Sequence, residues 1–142
     1  MKRIAKNIAC TTAAAGVALL SALPAAAAPQ PGAPVEGWSA MRGIQPAAML
    51  EHIDAMPLSE DAVADQPYCA SDEEIQATLA HDFSEELIVT AGFAATELWG
   101  SDQMGTWTLV AARADETSCI IASGTGFDDQ RTPDVYFQTA GL

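Results

Sequence analysis

Cys69 and Cys119 bracket the most strongly patterned stretch of this 142-residue chain. They are also the only cysteines left once its first 28 residues are set aside. Those residues, MKRIAKNIACTTAAAGVALLSALPAAAA, have the build of a cleaved export signal. Lys2, Arg3 and Lys6 supply the positive start, an alanine-rich apolar run extends from Ile8 to Leu23, and Ala26-Ala27-Ala28 offers small residues for cleavage after Ala27 or Ala28. The run is broken by Thr11, Thr12, Gly16 and Ser21 and falls short of the about 20 apolar residues that a spanning helix needs. No stable membrane insertion is therefore expected after cleavage. Cys10 has no apolar core before it and is not expected to carry lipid. The expected location is periplasmic or secreted, where thiols oxidise. Cys69 and Cys119 then allow a single intramolecular disulfide, worth roughly 4 kcal/mol on a chain-entropy model. The competing uses are an intermolecular link and a metal site, which two isolated cysteines cannot complete without help from histidine or carboxylate.

Losing the signal sharpens the charge. The whole chain carries a formal charge of −13, and three of its six basic residues precede residue 29, so the remainder carries −16. All nineteen acidic groups lie in that remainder, opposed only by Arg42, Arg113 and Arg131. Such a surface repels phosphate backbones and anionic headgroups, so nucleic acid is excluded as a partner class. It also strains the compact state by self-repulsion, which a small single core must withstand with the aid of a staple.

The organisation is uneven. Residues 29–35, PQPGAPV, read as a proline-rich spacer, and Pro46, Pro57 and Pro67 break the stretch up to Tyr68 into short pieces. Within it, Gln45 to Met56 could form a brief helix with Met49, Ile53 and Met56 on one side, but residues 29–68 as a whole read as a weakly structured arm. At Cys69 the pattern sharpens. Ser71 and Glu74 form a capping-box signature, and Asp72, Glu73 and Glu74 place negative charge in a first helical turn. Ile75, Leu79, Phe83 and Leu87 recur every four residues, which predicts a helix over about 72–90 with Gly92 as its stop. Three strands are expected next: Phe93 to Trp99, Thr106 to Ala112, and Ser118 to Ser123. In the second, Trp107, Leu109 and Ala111 alternate with Thr106, Thr108 and Val110. The expected fold class is α+β, with one main helix packed on a three-stranded antiparallel meander spanning 69–127. Residues 128–142, with their apolar patch Val135-Tyr136-Phe137, are expected to form a tail or an edge strand.

Chemistry-bearing motifs are sparse. His81, Glu85 and Glu74 could share a helix face, yet carboxylates beside a histidine are what this composition supplies anyway, and no metal site is expected. HExxH, CxxC, CxxCH and the G-x-S-x-G elbow are absent from the sequence, and Gly124-Thr125-Gly126 is too short for a phosphate cradle. No catalytic residue and no cofactor is assigned. Trp99, Trp107 and Phe127, with Asp128 and Asp129 beside them, make the candidate binding surface, an aromatic platform at the open end of the sheet flanked by acids. The competing use of these rings is the core, which is the expected place of Trp107, in line with Leu109, while Trp99 at a strand end suits either. Trp38 lies in the arm as a docking residue or as the arm's own anchor.

Several stretches together carry a resemblance: the helix after Cys69, Glu97-Leu98-Trp99, the run Met104-Gly105-Thr106-Trp107-Thr108, and Ser118-Cys119-Ile120-Ile121-Ala122-Ser123-Gly124. They resemble a family of small uncharacterised exported proteins of proteobacteria with a Cys–helix–GxWT hairpin–Cys core. The resemblance covers about half of the chain beyond the signal and departs from the family at Asp115-Glu116, where a turn glycine is expected. It implies export, a small fold and the disulfide, and it implies no activity. The expected function is that of a non-enzymatic periplasmic accessory or binding module for a protein or small-molecule ligand. The alternative is a small periplasmic hydrolase or a hydrolase inhibitor.

Overall fold

The computed structural model describes residues 30–142, so the signal expected over 1–28 lies outside the described residues. In chain order the elements are β1 (Glu36–Ser39), α1 (Pro46–Leu50), β2 (Tyr68–Ser71), α2 (Asp72–Asp82), β3 (Glu86–Val89), β4 (Thr96–Ser101), β5 (Thr106–Ala112), β6 (Thr117–Thr125) and α3 (Asp134–Thr139). Short 3-10 turns stand at Ile53–Ala55 and Phe93–Ala95. The strands form one six-stranded antiparallel sheet in the order β1-β6-β5-β4-β3, and β2 shares with β1 the same flank of β6. β1 pairs with the Ala122–Thr125 end of β6 and β2 with its Thr117–Ile120 end.

β5 shows why the sheet needs cover on both sides. Trp107, Leu109 and Ala111 point to one face and are buried, as the alternation predicts. Val110, on the opposite face, is buried too, and so is Thr108 beside it. On the first face the core is completed by Leu98, Ile121, Met49 and Ile53 from the α1 region, and Tyr136 and Phe137 from α3. On the second, Ile75 and Leu79 of α2 pack on Val110, Trp99 and Ala70. The fold is a six-stranded antiparallel sheet with a few short helices, α+β or mostly β, and not one helix on a three-stranded meander. The meander β4-β5-β6 is the centre of a wider sheet, sandwiched between α2 and a layer made from both ends of the described chain.

Three further expectations change. The helix predicted over 72–90 stops at Asp82. Ser84 turns the chain through a left-handed conformation (φ +53°), and the run Glu86-Leu87-Ile88-Val89, with its β-branched end, then adds to β4 as a strand. Phe83 and Leu87, the outer half of the four-residue repeat, are 43% and 41% exposed, so only Ile75 and Leu79 served the helix. The first strand begins at Thr96 rather than Phe93, because Ala94 and Ala95 (φ +49° and +60°) make a tight turn before it. The C-terminal patch is neither tail nor edge strand but α3, with Tyr136 and Phe137 buried against the sheet.

The segment 36–56, read as an arm, contributes β1, α1 and the two core side chains Met49 and Ile53. Its anchors are long-range. Trp107 lies against the backbone of Gly37, and the Arg113 guanidinium donates to the Met56 carbonyl at 2.8 Å. Such contacts leave no mark in local periodicity.

The disulfide forms where expected. Cys69 and Cys119 face each other across the β2–β6 ladder, 50 residues apart in sequence, and both are buried. Ser71 caps α2 by accepting the Glu74 amide at 3.3 Å, which is half of a capping box. The Glu74 carboxylate does not return to Ser71 but accepts from the Tyr68 hydroxyl.

Candidate functional site: a groove along the outer strand

The aromatic platform expected from the sequence is not exposed. Trp107 is fully buried, with its indole N–H donating to the Thr125 carbonyl at 3.1 Å. Phe127 is stacked on Tyr136 with ring centroids 5.3 Å apart. Trp99 is buried on the opposite face of the sheet, under α2, and donates to the Glu97 carboxylate. The three rings are therefore core on two separate faces and cannot form one surface. Asp128 is tied down as well: its backbone N–H and carbonyl both bond the Tyr136 hydroxyl, and its carboxylate lies 3.8 Å from the Arg131 guanidinium. Asp129 remains exposed. Trp38, in β1, is 56% exposed.

The His81 cluster also comes apart. His81 is exposed on α2, whereas Glu85 has left the helix and is 2% exposed beneath its end. Burial is the leading cause that pushes the Glu85 carboxyl above the usual carboxylate range. No hydrogen bond closes on Oε2, and the Thr106 hydroxyl is likewise unpartnered. A carboxyl with a raised pKa is a candidate general acid, but this one is sealed from any substrate. Among the described residues, no group of three or more histidine, cysteine or acidic side chains is placed to hold a metal ion. No helix among them is long and apolar enough to cross a membrane.

What the fold does expose is the outer edge of the sheet. β3 is bonded to β4 and ends the strand order, so its far side carries an unpaired row of backbone groups. A bulge between Leu87 and Val89 leaves Ile88 without a partner in β4. Leu87 and Ile88 are 41% and 42% exposed, and Phe93, just beyond, is 55% exposed.

Two clefts follow one another along this strand. The first, about 310 Å³, runs past Ser84, Glu86 and Ile88 and has Asp102 and Asp129 on its wall and the edge of Phe127 beneath. The second, about 670 Å³, lies between Val89, Gly92 and Phe93 on one side and Pro133, Phe137 and Leu142 on the other. Phe127 and Phe137 belong to the same core, so both clefts open on the face that carries α3. One end of the groove is thus acidic and the other apolar. Packing is tight beneath both: a Cβ on Gly100 would run into the Phe127 ring, and one on Gly92 into Phe137.

The acidic end has no cation of its own. The ion pairs of the described residues are Arg42 with Asp65, Arg113 with Asp115 and Arg131 with Asp128, which engages each of the three arginines among them. Asp102 instead accepts the Asp129 backbone N–H at 3.1 Å. A third cleft, of about 640 Å³, lies under the loop 57–67 between Met41, Met56, Leu58 and Val63. Ser59 closes the neck of that loop: its N–H donates to the Cys69 carbonyl at 2.8 Å, and its hydroxyl accepts the Cys69 N–H at 3.0 Å.

Sequence reasoning named Asp129 and Phe127 but missed Glu86, Ile88, Phe93 and Asp102. The local signal was the run Glu86-Leu87-Ile88-Val89, whose β-branched end suits a strand and was absorbed into the helix prediction. Set beside known proteins, the chain matches no protein family, no curated protein and no solved structure.

Proposed function

We propose that this is a non-enzymatic binding module of an exported compartment, and that its working surface is the groove along β3. The observation that carries the reading is the pairing of an open sheet edge with two clefts of opposite character on one face, beside cores that cover both faces of the sheet. Export rests on the signal-like start and is supported by the buried Cys69–Cys119 bond, which suits an oxidising compartment. The resemblance to small exported proteobacterial proteins points the same way. The hydrolase alternative has less to build on: His81 is exposed on α2, Asp128 is paired with Arg131, and Glu85, whose carboxyl pKa is raised by burial, is only 2% exposed.

The test is native mass spectrometry of the chain purified from producing cells, joined to hydrogen exchange before and after a high-salt strip. The expected result is a co-purifying mass whose removal raises exchange at residues 86–93. Protection confined to the 57–67 loop, or no change along β3, would refute the groove as the working surface. An intact mass that retains residues 1–28, or cysteines that alkylate without prior reduction, would refute the exported reading.

A further inference from the structure

We propose that the occupant of this groove is an extended, basic segment of another polypeptide, which adds to β3 as a further strand; the inference rests on the binding reading above. The free edge of β3 offers main-chain donors and acceptors, and main-chain pairing is how an exposed edge takes up a peptide. The flanking clefts supply the selectivity. Over Glu86–Val89 an added strand advances about 10 Å, at roughly 3.3 Å per residue, so alternate side chains reach both clefts from one face. An apolar side chain fits between Phe93 and Phe137, and a lysine or arginine a few residues away meets Glu86, Asp102 and Asp129.

Charge decides the identity of that segment. Among the described residues, Glu86, Asp102 and Asp129 make no ion pair. A second copy of this chain would bring a second set of the same carboxylates against the first, on a background of −16. Self-pairing at β3 is therefore opposed, while a basic segment is steered towards the strand and held there.

The experiment titrates the full chain, observed by amide NMR, with the synthetic peptide Ac-RTVTFTR-NH2, which places arginine and apolar residues on one strand face in either direction. The controls are Ac-ETVTFTE-NH2 and two N-methylated forms of the arginine peptide, one methylated at the even and one at the odd positions. Shifts are expected at residues 84–93 and 127–137. Affinity should weaken about tenfold or more in 0.5 M salt and vanish with the glutamate peptide. One N-methylated form should bind like the parent and the other at least about tenfold more weakly, since only one row of peptide N–H groups can face β3. Ile88→Lys and Glu86→Gln, both at exposed positions, should each weaken binding while leaving the thermal midpoint in place.

Equal binding of both N-methylated forms, shifts centred on the 57–67 loop, a salt-independent affinity, or dimers of the chain alone in 1 M salt would each overturn strand addition by a basic segment. If partner-dependent protection at 86–93 is nevertheless seen in native material, the groove reading survives and only the occupant is wrong. If neither is seen, both fall.

Discussion

Replacing the Cys69–Cys119 bridge by two alanines should remove about 4 kcal/mol of stability. The bond closes a loop of 50 residues, and the chain-entropy relation then gives an unfolded-state entropy difference of about 14 cal/mol/K, or about 4 kcal/mol at room temperature. β2 has four residues and pairs only with β6, so the bridge pins a strand that few other interactions hold. The same strand delivers Ser71, the cap of α2, and its Cys69 closes the neck of the 57–67 loop. Urea unfolding of the Cys69→Ala/Cys119→Ala chain, followed by far-ultraviolet circular dichroism, measures the loss. With a slope of about 1–2 kcal/mol/M, the midpoint should fall by roughly 2–4 M. A loss below about 1 kcal/mol at equal slope would refute the loop-entropy reasoning. It would mean that β2 and the unfolded ensemble are already constrained without the bond.

Three other perturbations probe different parts of the argument. Glu85→Gln should stabilise the protein at neutral pH and change little in acid. With a folded-state pKa raised above the ordinary 4.5, the carboxyl favours folding only while protonated. That contribution is whole below the unfolded value and is lost as pH rises through the folded one. The difference between the two chains in urea midpoint, measured from acid to neutral pH, reads it out; a pH-independent difference would exclude a buried titrating carboxyl. Gly124→Ala should cost about 2–4 kcal/mol, because the added methyl would overlap the Glu36 carbonyl and the Trp107 ring, while Ser123→Ala next to it stays within about 0.5 kcal/mol by the same denaturation assay. Tyr136→Phe leaves the Asp128 N–H without its 2.9 Å acceptor and should lower stability by about 1–2 kcal/mol, seen as a fall of several degrees in thermal midpoint.

The sequence by itself determined what depends on near neighbours and on totals. The alternation through Trp107, Leu109 and Ala111 predicted β5 residue for residue, because a strand buried on a face must repeat every two residues. Ser71 predicted the start of α2, because a cap acts within one turn. The two cysteines beyond residue 28 left one intramolecular pairing there, and the charge, −13 for the whole chain and −16 beyond residue 28, follows from counting. Tertiary structure decided everything that depends on a distant partner. The four-residue repeat Ile75, Leu79, Phe83, Leu87 fits one long helix equally well, and only the vacant flank of β4 converts its second half into β3. Trp99 and Trp107 look alike in sequence and are sent to opposite faces by the register of β4 against β5. Met49 and Ile53 join a core whose large members Leu98, Trp107, Leu109, Ile121, Tyr136 and Phe137 lie more than forty residues further along, so nothing local announces them. The groove has the same origin. Glu86, Asp102 and Asp129 belong to three separate stretches, and Phe93 and Phe137 to two more; only the closing of the sheet and the return of α3 place them along one strand.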